Sequence, residues 1–485
     1  MKTVRSAICF ILVLALVALS ACTGSENGGE VTVPDEPGTS PGYETTEAPS
    51  GAETGETSRL LPAHALAVAA YPLMAAYPDE SKYIGSDGQF DSDGWDKVWS
   101  AWNSDRNKQL DRASDEKAES MSDFLTRSIR RFLSGKEGEN AVYSPLNVYM
   151  ALAMLAETTD GESRAQILDL LGAKDIEALR SQANALWNAH YCDDGATTSV
   201  LANSLWLSDE VEAKKDTVVN LAQNYYASSF RGKTGSEEFD NALRDWINEQ
   251  TGGLLKDQAS GLKLDPSTVM ALASTIYYRA KWANRFTAEE TQQGEFRLSS
   301  GETATCDFMK QTQTKDYFWD DGFSAVSLEL ENSGRMWFIL PDEGTSPEEL
   351  LENGSATDFI LSDGGSAESK YLVVHMSVPK FDVASDTDLT DGLSDLGIKD
   401  VFDDAVSDFS PLTDMTGIYI SDAKHAARVK IDEEGVIAAA YTVMVACGAG
   451  MPPEEEVDFV LDRPFIFSIT AEDGLPLFVG EVNRP

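Results

Sequence analysis

The sequence predicts a mixed α/β fold rather than a doubly wound parallel sheet. Three observations carry that expectation. From about residue 114, strand-like and helix-like segments alternate without the regular strand–helix–strand rhythm of a parallel sheet. One helix-like run, 147–159, begins almost wholly apolar, as a helix covered on all sides does. The C-terminal part is a succession of short strands, and no internal repeat of the solenoid kind interrupts the pattern.

The elements follow in order. DFLTRSIRRFL (123–133) has apolar residues at helical spacing and reads as an amphipathic helix. NAVYSP (140–145) reads as a short strand ended by proline, and NVYMALAMLAETT (147–159) as the buried central helix. SVLANSLWLS (199–208) and TVMALASTIYYRAKW (268–282) are rich in β-branched and aromatic residues and read as strands. FDNALRDWINEQT (239–251) is a helix between them. RMWFILPDEG (335–344) and YLVVHMSVPKFDV (371–383) are two more strands, and DFVLDRPFIFSIT (458–470) and PLFVGEV (476–482) supply the short terminal ones.

The 485 residues are 42% hydrophobic and 25% charged, a globular composition, with a formal charge of -43. Such a surface repels phosphate backbones, so nucleic acid is excluded as a partner. The N-terminus reads as a targeting segment. Lys2 and Arg5 precede the apolar run CFILVLALVAL, and Leu19-Ser20-Ala21-Cys22 resembles a bacterial lipobox. Residues 1–21 are then an export leader and Cys22 the lipidated residue. The product is a cell-surface lipoprotein or an extracellular protein, touching a membrane only through that lipid. Residues 22–59, poor in large apolar residues and rich in Gly, Pro, Ser, Thr and Glu, read as a disordered tether. Residues 60–113 read as an N-terminal extension packing on the main domain, and 114–485 as that domain. Beyond Cys22 the mature chain keeps Cys192, Cys306 and Cys447, far apart and odd in number, which is no disulfide framework.

Catalytic signatures are absent from the sequence. His64, His190, His375 and His425 form no metal-ligand spacing, no nucleotide-binding glycine motif occurs, and neither metal nor cofactor is expected. Lys233-Thr234-Gly235 is a KTG triplet, and Ser114–Lys117 the one SxxK that precedes it. A penicillin-binding enzyme also needs SxN between the two, and none is present.

Several segments together carry a family resemblance. NAVYSPLNVYMALAMLAETTDG (140–161), TIYYRAKWANRF (275–286), VPKF (378–381), DLTDGLSDLGI (388–398), IYISDAKHAARVKIDEEG (418–435), DRPFIFSIT and PLFVGEVNRP resemble, in the right order, the signatures of the serpins. The resemblance implies three β-sheets, about eight or nine helices, an exposed reactive-centre loop and a protease inhibitor rather than an enzyme. It also implies a monomer whose partner is a target serine protease, trapped as a covalent acyl complex after the cleaved loop inserts into the central sheet.

The loop then begins within IDEEGVIAAAYTVMVACGAGMPPEEE (431–456), with its hinge at Glu433, Glu434, Gly435, Val436, Ile437, Ala438, Ala439 and Ala440. No charge occurs from Gly435 to Pro453, so insertion buries no ion. Val436 and Ile437 depart from the family's small hydroxyl-then-acid pattern. Counting from the hinge places the reactive bond at Ala449–Gly450, with Cys447 and Met451 as alternatives. No Lys or Arg occurs from Ile431 to Asp462, which excludes a trypsin-like target and favours an elastase-like or subtilisin-like one. Alternatives are inhibition of papain-like cysteine proteases, or a non-inhibitory serpin acting as a binding module. By the same resemblance Ser144, Asn147, Ser274 and His425 form the polar shutter under the sheet, and Trp282 marks the breach where the loop enters. Asn147 and Ser274 carry exchanged the residues the family usually has there, and Arg244 replaces a usual Asn.

Overall fold

The computed structural model describes residues 9–17, 61–85, 89–110, 121–436 apart from 137, 254, 332 and 421, and 453–485. The chain runs β1 (Cys9–Val17), α1 (Leu61–His64), β2 (Ala65–Ala67), α2 (Ser92–Leu110), α3 (Ser122–Leu133), β3 (Ala141–Tyr143) and α4 (Pro145–Thr158). It continues through α5 (Gly161–Leu170), α6 (Ile176–His190), β4 (Cys192–Asp193), β5 (Thr198–Ser208), α7 (Lys215–Asn224), β6 (Ala227–Gly232), α8 (Glu237–Gln250), α9 (Lys256–Ser260) and β7 (Thr268–Lys281). Strands β8 (Gln292–Arg297), β9 (Thr303–Asp320), β10 (Phe323–Leu330) and β11 (Gly334–Pro341) precede α10 (Pro347–Glu352) and α11 (Ser355–Leu361). The last part holds β12 (Glu368–Pro379), β13 (Phe381–Asp388), α12 (Thr390–Asp395), β14 (Asp422–Ile431), β15 (Gly435–Val436), β16 (Glu456–Val460), β17 (Phe465–Thr470) and β18 (Pro476–Val482).

The central sheet has the order β13-β14-β1-β7-β5-β6-β2. The other strands divide at the end of β9. There only Phe318–Asp320 pair with Phe323–Ala325 of β10, so β8, β9, β12 and β16 form one sheet and β10, β11, β17, β18 and β3 another. Three sheets result, in a mixed α/β fold. Ten α-helical segments, α3 to α12, lie among the described residues of the body, against the eight or nine expected; some, such as the five-residue α9, are single turns.

Helix α4 is the hub. Every one of its residues is buried, Glu157 included, and it packs against β7 on one side and β18 on the other. Its start is written locally: Ser144 caps it by accepting from the Asn147 amide at 3.4 Å, and Pro145 takes the first helical position, where no amide hydrogen is needed. At the far end, Arg180 donates two parallel bonds to the Glu157 carboxylate at 2.7 and 2.8 Å. On the opposite face of the sheet, Phe239, Trp246 and Ile247 of α8 close over Trp206, Ala271 and Ala273.

Two departures from the sequence reading have physical causes. YLVVHMSVPKFDV is not one strand, because β12 ends at Pro379 and β13 starts at Phe381 in a different sheet. The long β9 was unread because its residues alternate between half-buried and exposed, leaving no apolar run. The segment 61–110 contributes β2 to the edge of β6 and the nineteen-residue α2; Tyr71 lies 5.2 Å from the Trp187 ring and 5.8 Å from that of Tyr191.

The apolar run expected to be an export leader forms β1, parallel to both β7 and β14 and inserted between them. Without β1 the facing edges of β7 and β14 would present unpaired backbone groups over most of their length, and an apolar run of β-branched and aliphatic residues satisfies them.

Candidate functional site

The expected hinge sits at one end of β7. Gly435 pairs with Lys281 and Val436 with Ala280, antiparallel. Glycine is required there by close approach: a Cβ on Gly435 would lie 2.4 Å from the Ala280 carbonyl oxygen and 2.7 Å from the Lys281 Cα. Val436 is fully buried, because the bare glycine lets the backbone fold onto the strand. The bulk of Val436 is thus accommodated.

The two hinge acids are fastened on either side. Glu433 accepts from Lys380 at 2.6 Å and from Thr291 Oγ1 at 2.8 Å. Burial pushes its carboxyl up, but those two bonds outweigh burial and leave it below the usual carboxylate range. Arg285 donates to Glu434 at 2.8 Å. The expected breach residue, Trp282, is buried, and its indole N–H donates to the Asp432 carbonyl at 2.9 Å. The amides of Trp282 and Phe286 donate to the carbonyls of Glu434 and Glu433 at 3.1 Å each. Arg285 and Lys380 lie within the segments TIYYRAKWANRF and VPKF, and only the fold reveals that each pairs with a hinge acid.

The four expected shutter residues come together, all buried. Ser144 donates its hydroxyl to the Leu477 carbonyl at 2.7 Å, and its amide donates to His425 Nε2 at 3.1 Å. Asn147 Nδ2 donates to the Ser274 carbonyl at 3.4 Å. Ser274 Oγ lies 2.6 Å from Asn147 Oδ1 and 2.7 Å from Asn203 Oδ1, so its single hydrogen is shared. Asn203, which donates on to the Tyr225 carbonyl at 2.9 Å, is the member the sequence reading missed. Burial pushes the His425 imidazole down to about 3. It is therefore neutral, and with Nε2 accepting, its proton sits on Nδ1, which has no partner. Ser274 and His425 stand on the same rung of the sheet, both opposite Leu14 of β1.

Elsewhere, Arg244 donates to the Leu262 carbonyl at 2.6 Å and to Asn241 at 2.7 Å. The KTG triplet lies in the turn between β6 and α8. Among the described residues no cluster of His, Cys, Asp and Glu could hold a metal ion, and Cys192 and Cys306 are free thiols. Cys22, Ile437, Ala438, Ala439, Ala440, Cys447, Ala449, Gly450 and Met451 lie outside the described residues.

The chain is similar to known proteins in sequence and in fold. The chain is 27% identical over 361 residues to Serpin-Z2B of Triticum aestivum, covering 71% of this chain and 90% of that one. It is 28% identical over 384 residues to plasminogen activator inhibitor 1 of Sus scrofa, covering 75% and 91%. The thermophilic serpin tengpin in its native state superposes with a TM-score of 0.66 at 26% identity, over 76% of this chain and 93% of that one. Thyroxine-binding globulin in complex with thyroxine, at 21% identity and a TM-score of 0.64, has the same fold. Residues 119–485 match the family described as Serpin (serine protease inhibitor), and the chain belongs to that family.

Proposed function

We propose that this serpin is a suicide-substrate inhibitor of elastase-like or subtilisin-like serine proteases, working as an exported monomer anchored through Cys22. The observation that carries the reading is the register of β15 on β7. Gly435 faces Lys281 and Val436 faces Ala280, so each step forward along the loop is a step back along β7. Continued at that register, residue 448 reaches Thr268, the first residue of the fourteen-residue β7. That distance is about 46 Å. The fill ends next to Ala449, which supports Ala449–Gly450 as the reactive bond: the segment left on the acyl side is the segment the strand can hold. The same register puts Thr442 opposite Ser274, on the rung shared with His425. Rung partners point to one face, so the Thr442 hydroxyl arrives beside the unpartnered His425 Nδ1.

Strand β1 occupies the place the loop needs, pairing with Thr268–Tyr277 of β7. The two are mutually exclusive, and they run in opposite directions along β7. Loss of residues 1–21 at export vacates the place. While β1 remains, the chain behaves as the non-inhibitory alternative, cut without trapping.

The test uses chains with and without residues 1–21, each incubated with an elastase-like protease and run on a denaturing gel. A covalent complex with the shorter chain alone is expected. Cleavage of the shorter chain with no complex and no gain in thermal stability sinks the inhibitory reading. Mass spectrometry of the released C-terminal fragment fixes the bond. Extraction with detergent of the wild type, but not of Cys22→Ser, checks the anchor.

A further inference from the structure

A cavity of about 220 Å³ lies away from the slot, where α2, the end of α6, β5, β7 and the turn before β18 meet. Arg106 of α2 reaches into it with its side chain only 11% exposed. Its Nη2 stands 3.8 Å from Glu472, too far for a hydrogen bond, and its Nε and Nη1 are buried without a partner. Ser199, 4% exposed on the same wall, also has an unpartnered hydroxyl.

A buried guanidinium with unmet donors is costly, and the neighbouring groups do not meet them. Tyr278 is already bonded to Ser333 at 2.6 Å, and Asp473 faces His190 at 3.3 Å. Burial pushes the Cys192 thiol up, so it remains a neutral thiol rather than a competing anion. Arg106 Nε and Nη1 have no acceptor from the wall, and a singly charged carboxylate in the cavity supplies one. A doubly charged group meets Glu472 and Asp473 at the rim, half-exposed at 50% and 42%. The remaining wall, Ala189, Ala471 and Leu477, suits a short apolar body. The volume is below the roughly 300–1,000 Å³ of sites for drug-sized ligands.

We propose that this cavity binds a small organic monocarboxylate, its carboxylate on Arg106 and Ser199 and its apolar end against Ala189 and Leu477. The extension 60–113 then completes a ligand site by supplying the cation, a role independent of protease inhibition.

Titration calorimetry of the full chain with sodium acetate and sodium benzoate, against sodium chloride and sodium phosphate at matched ionic strength, tests this. Saturable binding of a carboxylate is expected, weakened about tenfold or more in Arg106→Gln, as loss of a charge-assisted hydrogen bond implies. Ser199→Ala is expected to weaken it severalfold, and Glu472→Gln to tighten it by removing the competing acid. Carboxylate heats no different from chloride overturn the proposal, as does phosphate binding as tightly as benzoate. If Arg106→Gln does not fold, unchanged affinity in both Ser199→Ala and Glu472→Gln overturns it equally.

Discussion

The rim and the middle of the central slot are held by different chemistry. At the rim, the hinge acids Glu433 and Glu434 pair with Lys380 and Arg285, whose side chains are 33% and 19% exposed. In the middle, Ser144, Asn147, Asn203, Ser274 and neutral His425 form a buried network without a formal charge. Water takes over the rim bonds when they part, so opening there costs little. In the middle no water stands by, and each orphaned group costs about 1–3 kcal/mol. The loop is therefore latched loosely where it starts and resisted where the strands must separate.

The largest break in that comparison is expected from Gly435→Val, made in the chain lacking residues 1–21. The new side chain collides with the Ala280 carbonyl, an overpacking cost of about 1–3 kcal/mol. The covalent fraction on the gel falls by up to about a hundredfold relative to plain cleavage; an undiminished fraction shows that insertion does not start from this seat. Next comes pH. In the unfolded chain His425 gains its proton near pH 6.5, whereas burial holds it neutral in the folded chain down to about 3. Its contribution is whole above pH 6.5 and is lost as pH falls toward 3, at about 1.4 kcal/mol per pH unit. Denaturant midpoints at pH 7 and pH 5 should separate more in the wild type than in His425→Gln; equal separations refute the assignment.

Asn147→Ser and Ser274→Asn sharpen the comparison from the other side. Each alone is expected to cost about 1–3 kcal/mol by stranding a partner, while the double change recovers most of the loss. Near-neutral single variants sink the idea of a reciprocal exchange. The smallest effect is expected at the rim, where Glu434→Gln removes a pair with a 37% exposed carboxylate. A loss of about 0.2–1 kcal/mol that fades in high salt is expected from urea titration, and a larger, salt-insensitive loss would erase the distinction between rim and middle.

Much of this was legible in the sequence where local rules and family pattern agreed. Ser144-Pro145 followed by an apolar run announces α4, whereas the uncharged stretch after Gly435, read as a strand in waiting, lies outside the described residues beyond Val436. That Ser144, Asn147, Ser274 and His425 meet was expected from resemblance alone, since no spacing along the chain shows it. Asn203 escaped because a polar residue in the strand SVLANSLWLS gives no sign of which way it faces. Arg106 escaped for a similar reason: an arginine in a helix rich in polar residues reads as solvated, and only the packing of α2 buries it.

On the proposed reading of residues 1–21 as an export leader, the placement of β1 bears on the order of folding and translocation. A leader folded into the middle of a sheet is out of reach of any export apparatus. If residues 1–21 are that leader, translocation and folding are competitors for the same nine-residue strand, and the winner decides the compartment. A chain that folds first stays behind with its slot filled, harmless to the proteases around it. A chain that is threaded out first loses the strand and folds with the slot free. The strand would then serve as a lock on misplaced molecules, with no second protein needed to turn it.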